Sequence, residues 1–421
     1  MKEITGGVCA PKGFMAGGIR CGIKAGNSLK KDLALIYSQK CCNAAAVFTT
    51  NRVKAASVLV CMENIADGKL HAVIANSGNA NACTGQTGMD NAKKMASLAA
   101  GVLKIDPSCV AVASTGVIGA PLPIGVIENN IGALKMSLRD DEQGHYDALE
   151  AIMTTDIRKK DIAVELEIGG KTVRIGAMSK GSGMIHPNMA TMLAFITTDC
   201  VINKNALDAA LKYAVKRSFN RLTVDGDTST NDMALVMANG EAGNEPITID
   251  NEQSAMKNVP KSDNADFNFF RDALEYVCVN LARKMARDGE GAAKLVTVTV
   301  RGAKNEDAAE TLAKSVASSS LVKAACFGAD ANWGRVLCAM GYSGEEFSPE
   351  KTNASFKSKA GVIDVCKNGE NVPFCEKTAK MILSQEEIEI NIAINDGNGK
   401  ASVWGCDLTY DYVKINGDYR S

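Results

Sequence analysis

The residue best suited to covalent chemistry is Thr191, which follows a loop containing glycines and a proline and opens an apolar run. Gly181, Gly183 and Pro187 favour a sharp turn in the loop before it. The short apolar run at residues 192–196 is typical of a buried strand. A hydroxyl at such a loop-to-strand junction is held rigidly and can face a cleft.

Cutting the chain between Ala190 and Thr191 would give this threonine a free α-amine. The hydroxyl could then act as a nucleophile, with the amine of the same residue as its base. Threonine is also common at strand starts, because its branched β-carbon suits the pleat. The type and position of Thr191 therefore fit both a catalytic and a structural role. Motifs elsewhere in the chain are needed to distinguish the two.

The composition is that of an ordinary globular protein without a strong charge bias. The chain has 421 residues, of which 46% are hydrophobic and 23% charged, and its formal net charge is -1. No basic excess favours nucleic acid or a membrane surface as a partner. The sequence has neither the apolar stretch of a signal peptide nor a run of the ~20 apolar residues that a membrane helix needs. We therefore expect a cytoplasmic protein.

The cysteines and histidines are not spaced as metal ligands. The 14 cysteines are scattered, with no C-x-x-C pair, and the three histidines lie far apart in the sequence. Zinc sites need ligands at short, characteristic spacings. In the cytosol thiols stay reduced, and most of these cysteines are expected to be small buried hydrophobic residues. We expect neither a metal site nor disulfides.

The apolar pattern predicts alternating strands and helices. Helical spacing is present from about Asp90, over residues 206–219 behind a cap at Asn203 or Asn205, and over residues 267–286. Strands that end in polar turns at residues 76–85 and 114–119 are predicted at residues 70–75 and 110–113. Period-two alternation before and after a turn predicts a hairpin from residues 387–394, 395–399 and 402–415. The expected fold class is α/β, with layered mixed β-sheets and flanking helices.

Three glycine-containing segments could be mistaken for phosphate-binding loops. Residues 289–294 lack the spacing and the Ser/Thr of a P-loop, and residues 398–402 lack its upstream glycine. Residues 76–85 have the right setting between a strand and a helix. Their alternating asparagines and glycines instead indicate side chains that bond their own backbone in a tight turn. A kinase-like function is therefore disfavoured.

The ordered set of motifs resembles one family, the ornithine acetyltransferases (glutamate N-acetyltransferases) of the cyclic arginine pathway. The resemblance extends over essentially the whole chain and is carried by residues 6–14, 74–85, 114–116, 180–193, 288–291 and 416–421. It implies a self-cleaving fold of the N-terminal-nucleophile type, cut between Ala190 and Thr191. The two products, residues 1–190 and 191–421, are then expected to stay associated, as a heterotetramer with two copies of each.

The resemblance also implies a ping-pong reaction without a metal or an organic cofactor. Thr191 Oγ attacks the acetyl carbonyl of N-acetylornithine, ornithine leaves, and the amine of glutamate collects the acetyl group from the threonine ester. The positions that match the oxyanion hole of the family are Thr115 and Gly116. The sequence does not decide whether acetyl-CoA serves as a second acetyl donor.

Six positions match the substrate-binding residues of the family. They are Thr154, Lys180, Thr191, Glu290, Asn416 and Ser421. Lys180 is suited to an α-carboxylate as a mobile point charge, and Glu290 could hold an ammonium group of ornithine. Thr155 is adjacent to Thr154 and could take its place.

Two other functions stay open. A self-processing aminopeptidase or amidase would use water as the acceptor in place of glutamate. A non-catalytic relative would keep the fold as a binding module. Lys180, Glu290, Asn416 and Ser421 favour an amino-acid acceptor over water, and the presence of every residue needed for chemistry disfavours the binding module.

Overall fold

The computed structural model describes residues 1–24, 29–186, 192–249 and 264–418. They form two compact units, the first made of residues 1–181, 188–220 and 228–281, and the second of residues 182–187, 221–227 and 282–421. Each unit contains one β-sheet with helices packed on it, which confirms the predicted α/β class of layered mixed sheets. These units are defined by packing, whereas the boundary before Thr191 is a covalent cut and stays a prediction.

In the part of the first unit that the structure describes there are a nine-stranded sheet and six helices, and residues 282–287 of the last helix are assigned to the second unit. The strands are β1 (Lys2–Ile4), β2 (Phe14–Ile19), β3 (Leu33–Phe48), β4 (Lys69–Asn79), β5 (Val110–Val117), β6 (Lys160–Ile168), β7 (Lys171–Lys180), β8 (Leu193–Thr198) and β9 (Met233–Ala238). The helices are α1 (Ala56–Asn64), α2 (Gly85–Leu103), α3 (Ile124–Met136), α4 (Glu142–Ile152), α5 (Lys204–Arg217) and α6 (Ala265–Arg287).

The sheet of the first unit is mixed. Its strand order is β1-β6-β7-β8-β9-β3-β4-β5, with β2 paired to β3, and the parallel pairs are β4–β5 and β8–β9. The long strand β3 connects the two halves, because its first part pairs with β4 and its last part with β9. The pairing with β4 shifts register between Tyr37 and Cys42. An irregularity of this kind bends a strand and increases its twist.

Helices cover this sheet with apolar side chains. Met95 of α2 and Ile127 of α3 belong to one buried cluster with Ile74 of β4. Leu149 of α4 belongs to a second cluster with Phe195 of β8. Removing such side chains from water is the main favourable contribution to folding.

The second unit contains a six-stranded sheet with the order β13-β12-β11-β14-β10-β15. Its strands are β10 (Leu295–Ala303), β11 (Asn353–Ser358), β12 (Gly361–Lys367), β13 (Glu370–Asn371), β14 (Glu387–Ala393) and β15 (Gly399–Cys406). Its helices are α7 (Glu306–Ser318), α8 (Ser320–Gly328), α9 (Trp333–Gly341), α10 (Glu376–Leu383) and α11 (Tyr410–Gly417). Leu312 of α7 and Val336 of α9 share a buried cluster with Val298 of β10.

The predicted helices are confirmed, with shifted ends. Helix α5 begins after Asn203, whose side chain accepts a hydrogen bond from the amide of Ala206, as expected of a cap. Helix α6 covers the predicted residues 267–286. Helix α2 begins at Gly85, several residues before the predicted start at Asp90.

The predicted hairpin at the end of the chain is wrong. Strand β10 lies between β14 and β15, parallel to β14 and antiparallel to β15, so these two strands do not pair with each other. The connecting loop instead bonds the end of β10, with Ile394 N–H donating to Arg301 O and Asp396 N–H to Gly302 O. The second predicted strand is also too long, since β15 ends at Cys406 and helix α11 follows.

Eight of the 14 cysteines are buried, which confirms that most of them pack as small apolar residues. Among the helices that the structure describes, none is both long enough and apolar enough to cross a membrane.

The Phe195→Ala variant should lose about 3–5 kcal/mol of free energy of unfolding, because the truncation leaves a cavity in the buried cluster that Phe195 shares with Leu149. Urea unfolding monitored by circular dichroism measures this loss. The Met136→Ala variant is the control, since Met136 is largely exposed and its truncation should stay within about 0.5 kcal/mol of the wild type. Equal effects of the two substitutions would contradict the assignment of Phe195 to the core.

Candidate active site

Two predicted site residues from distant parts of the chain are in direct contact in the first unit. Thr115 lies on β5 and Lys180 is the last residue of β7. Lys180 Nζ donates a hydrogen bond to Thr115 Oγ1 at 3.0 Å, and both side chains are buried. Because a buried ammonium is costly unless it is hydrogen-bonded, this contact holds a positive charge beside the hydroxyl.

Gly116 has a backbone conformation that other residues rarely adopt. Its φ is 134°, and a Cβ atom at this position would lie 2.3 Å from the carbonyl carbon of Gly78 on the neighbouring strand β4. The polar turn predicted at residues 114–119 is wrong for residues 114–117, because these residues continue β5 and pair with β4. Only a glycine allows the two backbones to approach so closely.

The strand ends around Thr115 are fixed by asparagine side chains. Asn231 Nδ2 donates to the carbonyl oxygens of Ser114 at 2.8 Å and Ala80 at 2.7 Å, which ties β5 to the chain after β4. Asn79 Oδ1 accepts from the amide of Asn81. This bond confirms the prediction that asparagines of residues 76–85 bond their own backbone.

Asp156, which the sequence analysis did not identify, connects two predicted substrate-binding positions. Its Oδ1 accepts from Lys160 Nζ at 2.6 Å and from the amide of Gly181 at 2.7 Å, and its Oδ2 accepts from the amide of Thr154 at 3.0 Å. Burial alone would raise the pKa of this carboxyl group, but the ammonium groups of Lys160 and Lys180 and the Gly181 N–H hold it well below its usual value. An ionised Asp156 therefore fixes the backbone beside both Thr154 and Lys180.

Lys24 is a second residue near Thr154 that the sequence analysis missed. Its Nζ donates to the carbonyl oxygens of Met153 at 2.9 Å and Lys31 at 2.7 Å. Burial lowers the pKa of Lys24 to about 8. Thr154 and Thr155 are both half-buried, so burial does not separate their roles.

The second unit contains two further predicted residues in contact. Asn416 Nδ2, on α11, donates to Glu290 Oε2 at 2.9 Å. The amide of Glu290 donates to Ser182 O at 2.7 Å, and the Glu290 carboxylate occupies the space that a Cβ of Gly183 would need. Any larger residue at Gly183 would therefore have to displace the Glu290 carboxylate.

Helix α11 near the end of the chain is anchored within the second unit. Thr409 caps it and donates through Oγ1 to Gly291 O at 2.7 Å. Burial, and then the neighbouring Asp225 carboxylate, raise the pKa of Tyr412 on this helix. The same carboxylate accepts from the amides of Met184 at 2.6 Å and Ile185 at 2.8 Å. Asp225 thus bonds the loop before the predicted cut and lies next to α11.

The described residues include six of the nine predicted site positions. Thr115, Gly116, Thr154 and Lys180 lie in the first unit, and Glu290 and Asn416 lie in the second. Ala190, Thr191 and Ser421 lie outside the described residues, so their roles stay predictions.

Together Thr115, Gly116 and Lys180 provide a buried hydroxyl, a glycine backbone and a fixed ammonium. An enzyme that stabilises negative charge developing on oxygen is expected to have such groups.

The ArgJ family pattern matches residues 15–421. The arginine biosynthesis bifunctional protein ArgJ of Symbiobacterium thermophilum is 51% identical over 421 residues, with 100% of each chain covered. The protein of that name from Caldanaerobacter subterraneus is 49% identical over 421 residues, again with 100% of each chain covered.

A solved structure is also similar. The crystal structure of arginine biosynthesis bifunctional protein argJ from Bacillus halodurans is 44% identical and covers 53% of this chain and 97% of its own, with a TM-score of 0.48. With the family pattern and the full-length relatives, the assignment is clear: the chain belongs to the ArgJ family. The predicted family resemblance is confirmed.

The Asp156→Asn variant should lose about 3–5 kcal/mol of free energy of unfolding at pH 7, because Lys160 then stays buried without its ionised partner. The loss should begin to shrink as the pH falls below about 4, the ordinary pKa of an aspartate in the unfolded chain, and should shrink further toward the lower pKa of the folded state, where the wild-type carboxylate becomes protonated. Urea unfolding between pH 7 and pH 3 measures both effects.

The matched control is Asp208→Asn. Asp208 and Lys212 form an ion pair of the same length and sequence spacing as Asp156 and Lys160, but with Lys212 exposed. This variant should lose no more than about 0.5 kcal/mol. A similar loss in both variants at pH 7 would show that burial does not set the energy of the Asp156 pair.

Proposed function

We propose that this chain is an acyltransferase of arginine biosynthesis that moves the acetyl group of N-acetylornithine to glutamate through an ester on Thr191. The observation that carries the proposal is the contact between Lys180 and Thr115, beside the close approach of Gly116 to β4, in a member of the ArgJ family. The names of the full-length relatives place them in arginine biosynthesis.

In the proposed first step, Thr191 Oγ attacks the acetyl carbonyl and its proton passes to the α-amine of the same residue. That amine has an unperturbed pKa of about 7.7–8.0, which suits a base near neutral pH. The proton then goes to the departing amine of ornithine. In the second step the amine of glutamate attacks the threonine ester and the bond from the acetyl carbon to Oγ breaks. The amine's proton passes through the α-amine of Thr191 to Oγ, so that N-acetylglutamate leaves and Thr191 recovers its hydroxyl.

The contact with Lys180 gives the Thr115 hydroxyl a defined direction. A hydroxyl has one hydrogen to donate, and Thr115 Oγ1 already accepts from Lys180 Nζ. The hydrogen of Thr115 can therefore point to the oxyanion, together with the amide of Gly116. Each such donor is worth about 3 kcal/mol in the transition state.

For substrate binding, we propose that Lys180 holds an α-carboxylate and that Glu290 holds an ammonium group of ornithine. Asn416 donates to the Glu290 carboxylate and fixes its direction. We assign Thr154 and Ser421 to the same substrates on the family resemblance alone. The proposed reaction needs no metal and no organic cofactor, and acetyl-CoA is proposed as a second donor. We place the reaction in the cytoplasm.

We further propose that the chain cuts itself between Ala190 and Thr191 into residues 1–190 and 191–421, which assemble as a heterotetramer with two copies of each. The sheet of the first unit supports their association. Strands β8 and β9 would belong to the second product, yet they lie between β7 and β3 of the first, bonded on both sides. Backbone hydrogen bonds and buried side chains would hold the products together after the cut.

The Thr191→Ala variant should remain a single chain and lose acetyl transfer, because both steps need the same hydroxyl. In the wild type, terminal sequencing and intact mass should show a second fragment that begins at residue 191. The Thr115→Ala variant should still fold but should cut and transfer about 10²–10³-fold more slowly. A wild-type fragment that begins elsewhere would contradict the assignment of the nucleophile.

The release of ornithine from N-acetylornithine should depend on glutamate, with N-acetylglutamate as the product. Mass spectrometry of the products with and without glutamate tests this dependence. Release of free acetate at equal rates in both reactions would favour an amidohydrolase that uses water. A parallel reaction with acetyl-CoA as the only donor tests the second activity.

A further inference from the structure

The chain before β9 contains a buried acidic residue that the sequence analysis did not single out. Asp232 is 0% exposed, and its Oδ1 accepts a hydrogen bond from the amide of Met192 at 2.9 Å. Met192 directly follows Thr191 in the sequence. The carboxyl group of Asp232 thus bonds the first amide after the proposed nucleophile.

Both partners of this bond are held by neighbouring strands. The carbonyl oxygen of Met192 accepts from the amide of Met233 at 3.0 Å, which extends the pairing of β8 with β9 by one residue. The carbonyl oxygen of Asp232 accepts from the amide of Thr49 at 3.0 Å, just after β3. Asp232 is therefore a rigid support and not a flexible surface group.

The groups that face the carboxyl come from four segments. They are the Met192 amide before β8, the Lys180 ammonium at the end of β7, and the Thr49 and Ser229 side chains. Burial raises the pKa of Asp232 well above its usual value, against the opposite effects of the Met192 N–H and Lys180. A neutral amide of the same shape should therefore be able to replace this acid.

We propose that Asp232 is a positioning residue, whose carboxyl group fixes the Met192 amide and thereby the backbone of Thr191 for the cut and for acetyl transfer. The peptide group that joins Thr191 to Met192 is planar, so a bond to its N–H orients the plane that contains the Cα of Thr191. An error of 1 Å in the position of a reacting group can cost about 10²-fold in rate. The inference rests on the proposed role of Thr191.

The test compares Asp232→Ala, which removes the acceptor, with Asp232→Asn, which keeps one. Asp232→Ala should slow the cut about 10²-fold and lower kcat for acetyl transfer by about the same factor, with KM nearly unchanged. Asp232→Asn should restore both rates to within about tenfold of the wild type. The readouts are fragment formation in a time course and kcat and KM of the cut enzyme.

The matched control is Asp199→Ala, at the other end of β8. Asp199 is equally buried and accepts from the amides of Arg174 at 2.7 Å and Lys12 at 3.1 Å. Its loss should lower the thermal midpoint and leave the cut and kcat close to those of the wild type. Equal slowing in the two alanine variants, in proportion to their thermal midpoints, would reduce Asp232 to a structural role and overturn the proposal.

Other outcomes are equally decisive. If the wild type cuts before residue 191 and transfers acetyl while Asp232→Ala does the same at normal rates, the positioning role is wrong and the proposed function stands. If the wild type does not cut there, the proposed function itself fails.

Should Asp232→Ala not fold, Asp232→Glu replaces it as the test variant, since the longer side chain keeps the carboxyl group but displaces it. A slow Glu variant beside a fast Asn variant supports the proposal, and equal rates in these two variants overturn it.

Discussion

Strand β8 is hydrogen-bonded on both sides, and the arrangement of the first unit depends on this. Leu193, its first residue, pairs with Lys180 at the end of β7 and with Met233 at the start of β9. The end of β7 therefore lies in register with the beginnings of β8 and β9. Met192 and Asp232 directly precede the first residues of β8 and β9, and the Asp232 carboxyl group accepts a hydrogen bond from the Met192 amide. Backbone pairing, and not a flexible loop, sets the distances between these groups.

The same lysine lies near two buried carboxyl groups whose pKa values move in opposite directions. Asp156 also faces the Lys160 ammonium and two backbone N–H groups, and these favour its ionised form over the cost of burial. Asp232 faces one amide, the Lys180 charge and the Thr49 and Ser229 side chains, and burial prevails over their effects. In the first unit the Lys180 ammonium thus acts on two carboxyl groups, Asp156 with a lowered pKa and Asp232 with a raised pKa. Such divergent environments are a common way to give similar side chains different tasks.

Local sequence patterns were sufficient for the three predicted helices but not for the pairing of strands. Helix α5 follows from its apolar spacing and the Asn203 cap, which are properties of neighbouring residues. The prediction of a hairpin was wrong because β10, about 90 residues earlier in the chain, pairs with both β14 and β15. Asp156 and Asp232 escaped notice for the same reason. The Gly181 amide that Asp156 bonds and the Met192 amide that Asp232 bonds come from segments far away in the sequence, although Asp156 also has nearby partners in Thr154 and Lys160.

The position of the proposed cut is consistent with a sheet that does not need the connection between β7 and β8. A chain connection favours pairing by reducing the entropy lost when two strands meet, and this benefit falls only slowly as the loop lengthens. Once the strands are paired, their stability comes from hydrogen bonds and from buried side chains such as Phe195. Neither is removed when a peptide bond outside the strands is broken. A new terminus can therefore arise next to a central strand, and the Asp232 carboxyl group bonds the Met192 amide just before β8.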